Sequence, residues 1–289
     1  MQEIKNKLEQ QLNQHGYGFQ YSVLEYIRRL FAKKQSQWVF EAAEFPAEVQ
    51  GKGTRIDFIL KLKDTRLFIL AECKRVNPKF SNWCFVKAPY VRRNRSSESY
   101  FVDHVEFNQH DPHNVCKVTG EKLTNWISED RAYHIGLVIK SQSTKGESGK
   151  LESDAIEQAA TQICRGLNGL IELLPKRPRL IKTEIKNNVF HAGVTLLPVI
   201  FTTAKLYTCD CKLTSSNLED GKLDLSGEEL SQKDWIFFQY NVSPGIKHSS
   251  KPGQISDEFA KILDYDYVRT IPIVTPKGIA KFLAYFEDL

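Results

Sequence analysis

Asp57, Glu72 and Lys74 are the side chains whose types and spacing most directly suggest chemistry. They lie in the stretch 53–75, where two runs rich in Ile, Leu and Phe flank the polar pair Asp64 and Thr65. That pattern is a β-hairpin. A loop centred on the pair sets an antiparallel register in which facing residues have numbers summing to 129, so Asp57 falls opposite Glu72. Facing residues share one side of the sheet with Cβ atoms about 4.5–5.5 Å apart, and a residue two further along shares that side too. Lys74 is that residue. The hairpin therefore gathers two carboxylates and an ammonium.

Like charges placed opposite each other destabilise a sheet unless a cation compensates them. Oxygen donors that leave positions for water and a substrate phosphate suit Mg²⁺ or Mn²⁺ better than zinc. The same charges could also form a surface salt-bridge cluster, one carboxylate pairing with Lys74 or Arg55.

An acid in one strand, a hairpin, and then Glu-x-Lys closing the next strand resembles the PD-(D/E)xK superfamily of restriction-endonuclease-like nucleases. Here the match is Asp57 followed by Glu72-Cys73-Lys74. The resemblance implies an α/β fold with a restriction-endonuclease-like core: a helix, a three-stranded antiparallel meander, a second helix and a further strand. It also implies magnesium-dependent cleavage of phosphodiesters, with Asp57 and Glu72 as metal ligands and Lys74 positioning the water and stabilising developing charge. The run Gly16-Tyr17-Gly18-Phe19-Gln20 resembles the Gly-x-x-Phe-Glu entry of Mrr-like members, with Gln20 where those often carry an acid. Glu25, Glu41 and Glu44 are then candidate auxiliary acids, and a solvated helix face serves as well for Glu25.

The 289 residues, 41% hydrophobic, can bury a full core, and the net charge of +5 leans towards an anionic partner. No apolar leader-like region or membrane-length run is present, which predicts a cytoplasmic protein without membrane contact. Six mostly isolated cysteines read as reduced thiols.

Phe19, Val23, Ile27, Leu30 and Phe31 recur at helical spacing behind a glycine breaker, and 38–44 alternates as a first strand. After Lys74 a polar stretch runs to about 131 without a clear period, which reads as an insertion over 77–131. Within it Lys79, Lys87, Arg92, Arg93 and Arg95 are interleaved with aromatics including Trp83 and Tyr90. Grooves that hold phosphates and stack bases have that mixture, and so does a solvated loop with a satellite core. His104, His110, His113 and Cys116 could in principle bind zinc, but they lack the two tight ligand pairs of structural sites.

Residues 141–153 read as a polar loop, and a helix returns at 154 with an apolar stripe and a second stripe of Gln158, Gln162 and Arg165. In the superfamily this helix flanks the active site and often presents a Gln, for which Gln158 is the candidate. Residues 194–203 are almost continuously apolar, as in a strand covered on both faces. Strands are expected at 235–240 and 271–274, then a helix over 276–286 with a Pro start.

The expected organisation is a nuclease core from 1–76 and 132–204, the insertion, and a C-terminal αβ extension over 205–289 packed on the core. That extension could lengthen the sheet, form a homodimer or hold a partner subunit. The expected function is Mg²⁺- or Mn²⁺-dependent hydrolysis of nucleic acid, DNA foremost, in a setting such as restriction or antiphage defence. The alternative is an inactive nucleic-acid-binding or scaffold subunit that keeps the nuclease fold.

Overall fold

The computed structural model describes residues 1–49, 51–87, 102–107, 115–121, 132–140, 155–173, 193–210, 221–222, 225–241 and 268–287. Its elements are α1 (Gln2–Gln14), α2 (Tyr17–Ala32), β1 (Trp38–Val49), β2 (Lys52–Leu62), β3 (Leu67–Lys74) and β4 (Asn82–Lys87). They continue through β5 (Val102–Phe107), β6 (Val115–Glu121), β7 (Ala132–Tyr133), β8 (Ile135–Ile139), α3 (Ala155–Leu173) and β9 (Gly193–Thr202). The last are β10 (Lys205–Asp210), β11 (Ser231–Lys233), β12 (Trp235–Asn241), β13 (Val268–Val274) and α4 (Ile279–Glu287). The fold is mixed α/β. Among the described residues no helix is long and apolar enough to cross a membrane.

A nine-stranded mixed sheet runs β1-β2-β3-β9-β13-β12-β7, with β5 and β6 attached beside β9. Local pairing builds one end of it. The hairpin turn places Asp64 at φ 59°, Thr65 donates its N–H to the Leu62 carbonyl at 3.2 Å, and β2 and β3 pair from Phe58–Ala71 to Lys61–Phe68. This is the register expected from the sequence. Alternation then sends Phe58, Leu60, Ile69 and Ala71 to one face and Ile59 and Leu70 to the other. Fully burying each large apolar side chain contributes about 1.5–3 kcal/mol.

On the first face lie α2 and α4, through Val23, Ile27 and Leu30 and through Ile279, Phe282, Leu283 and Phe286. Phe31, expected in this stripe, is 40% exposed. The opposite face carries α3, whose Ile156, Ala160, Ile163 and Leu167 join the same core as Ile59 and Leu70. Close approach there requires glycine. A Cβ on Gly169 would sit 2.9 Å from the Glu48 backbone nitrogen, and one on Gly166 would sit 2.7 Å from Ile56. The C-terminal half of α3 is thereby held close to β1 and β2.

Beyond the hairpin the pairing is long-range. The apolar strand β9 runs parallel to β3 over its whole length, and β13 continues the sheet on its far side, pairing at Ile200 and Phe201. The C-terminal segment is thus part of the main sheet.

A second sheet, β11-β10-β4-β8, corrects the reading of the segment after Lys74. Residues 82–87 are no part of a polar loop. They form a strand parallel to β10 and antiparallel to β8. Strands from the expected insertion, core and extension therefore share one sheet. Trp83 and Phe85 point from it into the core with 0% exposure. Helix α1, like β5, β6, β10 and β11, had no counterpart in the sequence reading; it has no buried residue, and its apolar Ile4, Leu8 and Leu12 are exposed.

Candidate active site

The two strands of the hairpin stop pairing at Phe58–Ala71, one step short of Asp57 and Glu72. From there β2 stays with β1, down to Val49–Lys52, while β3 stays with β9, up to Lys74–Thr202. The strands part, and a cleft of about 440 Å³ opens at the split, with Asp57, Glu72 and Lys74 among its lining residues. Asp57 is therefore the first residue beyond the ladder and forms no rung with Glu72. Its Oδ2 instead accepts the backbone N–H of Cys73 at 2.7 Å. This bond satisfies a donor that the parting strands would leave open.

Glu72 is 2% exposed, and its Oε1 lies 3.4 Å from Lys74 Nζ. Its Oε2 is buried without a hydrogen-bond partner. Burial, then the neighbouring Asp57 charge, push the Glu72 carboxyl up to about 8 against the pull of Lys74. Asp57 is pushed up to about 6, chiefly by burial, with the Cys73 N–H opposing and Glu44 adding repulsion. A buried acceptor without a donor beside a second carboxylate is an environment that a cation would relieve.

Two further residues complete the floor. Gln20 is the polar member of the stripe that continues as Val23, Ile27 and Leu30, and it is 4% exposed. Its Nε2 donates to Glu44 Oε1 at 2.8 Å and to the Asp57 carbonyl at 2.9 Å. Glu44 follows the register shift in β1 and has φ 49°, and its Oε2 faces Arg55 Nη1 at 3.6 Å. Thus Arg55 pairs with Glu44 and not with Asp57.

Of the auxiliary acids, only Glu44 reaches the cleft. Glu25 is turned to solvent, where Arg28 Nε at 2.7 Å and Arg29 Nε at 2.8 Å hold its carboxyl down at about 2. Glu41 is exposed and does not line the cleft. Gln158 does line it from α3, together with Gln162. Glu72 follows Leu70 in alternation onto the sheet face that α3 covers.

The expected nucleic-acid set is redistributed. Trp83 is core and offers no ring to a base. Lys79 lies in a short 3-10 turn (Pro78–Phe80) and Lys87 at the end of β4, neither lining the cleft. Tyr90, Arg92, Arg93 and Arg95 lie outside the described residues, as do His110 and His113. His104 and Cys116 fall on β5 and β6, Cys116 at a register shift.

Cleft residues that the sequence reading did not select are His15, Tyr17, Arg75, Asn77 and Phe80. Arg75 is anchored through Nη1 to the Asn13 carbonyl at 2.7 Å. Tyr17 had a visible signal, its place between two glycines at a helix start, but that run was read as a breaker and as an Mrr-like entry, with no role for the tyrosine.

Among the described residues no group of three His, Cys, Asp or Glu side chains is arranged to hold a metal. Three carboxylates of the described residues line the open cleft, of which Glu44 is engaged by Gln20 and Arg55, so that Asp57 and Glu72 make up the donor set. Mg²⁺ is commonly held by one or two carboxylates, with waters and substrate phosphate completing its shell. The residues fit a hard divalent cation of that kind. No family model matches the chain, and no curated protein or solved structure is significantly similar to it.

Proposed function

We propose that this chain is a metal-dependent nuclease that hydrolyses phosphodiester bonds of nucleic acid, DNA foremost, on a restriction-endonuclease-like core. The observation that carries the reading is the buried Glu72, with Oε2 unpartnered, beside Asp57 where β2 and β3 part into an open cleft. The succession α2, β1 to β3, α3 and β9 follows the core order that the PD-(D/E)xK resemblance implies.

Asp57 and Glu72 would hold Mg²⁺ or Mn²⁺. When bound, such an ion supplies a Lewis acid for a phosphoryl oxygen and lowers the pKa of a water towards neutrality. Lys74 Nζ stands at the mouth of the pair, 3.4 Å from Glu72 Oε1, where it can donate to the phosphoryl oxygens as their charge grows. Gln20 fixes the floor, tying Glu44 to the strand that carries Asp57. Gln158 and Gln162 offer amide donors from the α3 wall to orient substrate. Arg55 and Arg75 add positive charge along the cleft, suited to a phosphate backbone. No side-chain nucleophile is needed.

The test is incubation of purified protein with plasmid, linear and single-stranded DNA and with RNA, each with Mg²⁺, with Mn²⁺ and with EDTA. Cleavage that requires the metal and disappears in Asp57→Asn and Glu72→Gln supports the reading. Tight nucleic-acid binding without cleavage under any of these conditions would favour a non-catalytic subunit.

A further inference from the structure

Tyr17 lines the cleft from the first turn of α2, and Tyr21 stands one turn further along the same helix face, 52% exposed. Their ring centroids are 6.2 Å apart and their planes lie within 21° of each other. On the inner side of Tyr17 the His15 ring, itself part of the cleft lining, follows at 6.2 Å and 41°. The three rings form a row that starts in the acid cleft and runs outward over the exposed face of α2.

A pair of aromatic rings one turn apart contributes only about 0.2–0.5 kcal/mol to a helix. That is a weak reason to keep a large ring half in water. Exposed aromatic faces beside cationic side chains act instead as platforms for bases, each of which has a π-face to stack. Duplex bases are already stacked and paired, so such a row can be occupied only by unpaired ones. Arg75 and Arg55, both cleft residues, supply positive charge for the phosphates of the same strand.

Building on the nuclease reading, we infer that the cleft takes a single strand, or an unpaired end of a duplex, with successive bases stacked on Tyr17 and Tyr21 and the backbone led towards Asp57 and Glu72. Nothing else described on the cleft side of α2 offers exposed rings in series. The stacking role that Trp83 cannot fill thus falls to α2.

The experiment measures affinity by fluorescence anisotropy in EDTA, where cleavage plays no part. The probes are a labelled oligothymidine of about 12 nucleotides, within the range of single-strand site sizes, and a blunt duplex of equal length. The expected result is tighter binding of the single strand. In the double variant Tyr17→Ala, Tyr21→Ala the single strand should bind about tenfold or more weakly, with an unchanged dependence of log K on log salt. Duplex affinity should stay the same, and Tyr17→Phe, Tyr21→Phe should keep wild-type binding. Unchanged single-strand affinity in the Ala pair overturns the inference, and so does an equal loss on both probes. The Phe pair, which keeps both rings, separates loss of stacking from loss of folding. Tyrosine-dependent binding without metal-dependent cleavage would uphold the stacking row and count against the nuclease reading alone. Cleavage that survives while the Ala pair binds like wild type would do the reverse.

Discussion

On the outer face of α2, Glu25 sits between Arg28 and Arg29 with its side chain 40% exposed, while at the parting of β2 and β3, Glu72 sits beside Lys74 with almost no contact with water. Both are glutamates with a basic side chain in reach. Their pKa values move in opposite directions, down to about 2 for Glu25 and up to about 8 for Glu72. The difference is desolvation. At Glu25 hydrogen bonds from the two arginines dominate, whereas at Glu72 burial and the Asp57 charge outweigh a single ammonium at 3.4 Å. A salt bridge in water is a local arrangement of modest value. A buried carboxylate without enough positive charge invites protonation or a cation.

The sharpest way to break this contrast is at the acids themselves. Asp57→Asn and Glu72→Gln should each reduce cleavage below detection while leaving the circular dichroism spectrum unchanged, because the amides keep the side-chain volumes. Asp57→Asn also keeps an oxygen for the Cys73 N–H. Glu25→Gln should cleave like wild type. Equal losses from Glu25 and Glu72 variants would show that exposure does not separate the two sites.

Stability against pH tests the electrostatics directly, with EDTA present. For Glu72 the carboxyl in the folded state titrates near 8 and in the unfolded state near 4.5, so the folded state binds more protons between these values. Stability must then fall as pH rises from about 4.5 to about 8 and level off above, with Asp57 adding its share between 3.8 and about 6. Urea unfolding of Glu72→Gln should show most of this slope removed, a gain of roughly 2–5 kcal/mol at the upper end. Glu25 runs the other way. Its contribution is present above 4.5 and lost as pH falls through about 2, so its variant should leave the slope between pH 5 and 8 unaltered. A wild-type protein whose stability rises over that window would contradict the assignment.

Lys74→Ala should slow cleavage by roughly 10² if its ammonium meets developing charge. Calorimetry should find Mg²⁺ or Mn²⁺ affinity retained, since the ammonium is no ligand. Loss of both together would place Lys74 in the metal site's support and not in the chemistry.

The smallest expected effect concerns the basic residues read from the sequence after β4. Replacing Arg92, Arg93 and Arg95 together with Ala in an Asp57→Asn background should flatten the slope of log K against log salt by roughly two to three units if each meets a phosphate. The change should be alike on unrelated sequences, because phosphate contacts carry no base information. An unchanged slope would leave the cleft cations as the main electrostatic contact.

Short-range patterns were enough to place the hairpin. Alternation of apolar residues about Asp64 and Thr65 set which partners face each other from Phe58–Ala71 to Lys61–Phe68, and hence that Asp57 and Glu72 come next at the open end of the hairpin. The apolar stripe of α2 and the apolar run of β9 were equally readable, since helical and strand periods repeat within a few residues.

What tertiary structure alone decided is where those patterns stop and what meets them. The divergence of β2 from β3 depends on their outer partners, and β9 comes from more than a hundred residues away in the sequence. Trp83, an aromatic among basic residues, became core because β4 found β8 and β10. Gln20 and Glu44 joined the site while Glu25 left it, although all three lie near the same helix and strand in sequence. Spacing sets which side chains can share a face. Which face is then closed to water is settled by distant segments packing together, and here that closure separates the buried carboxylates of the cleft from the solvated one on α2.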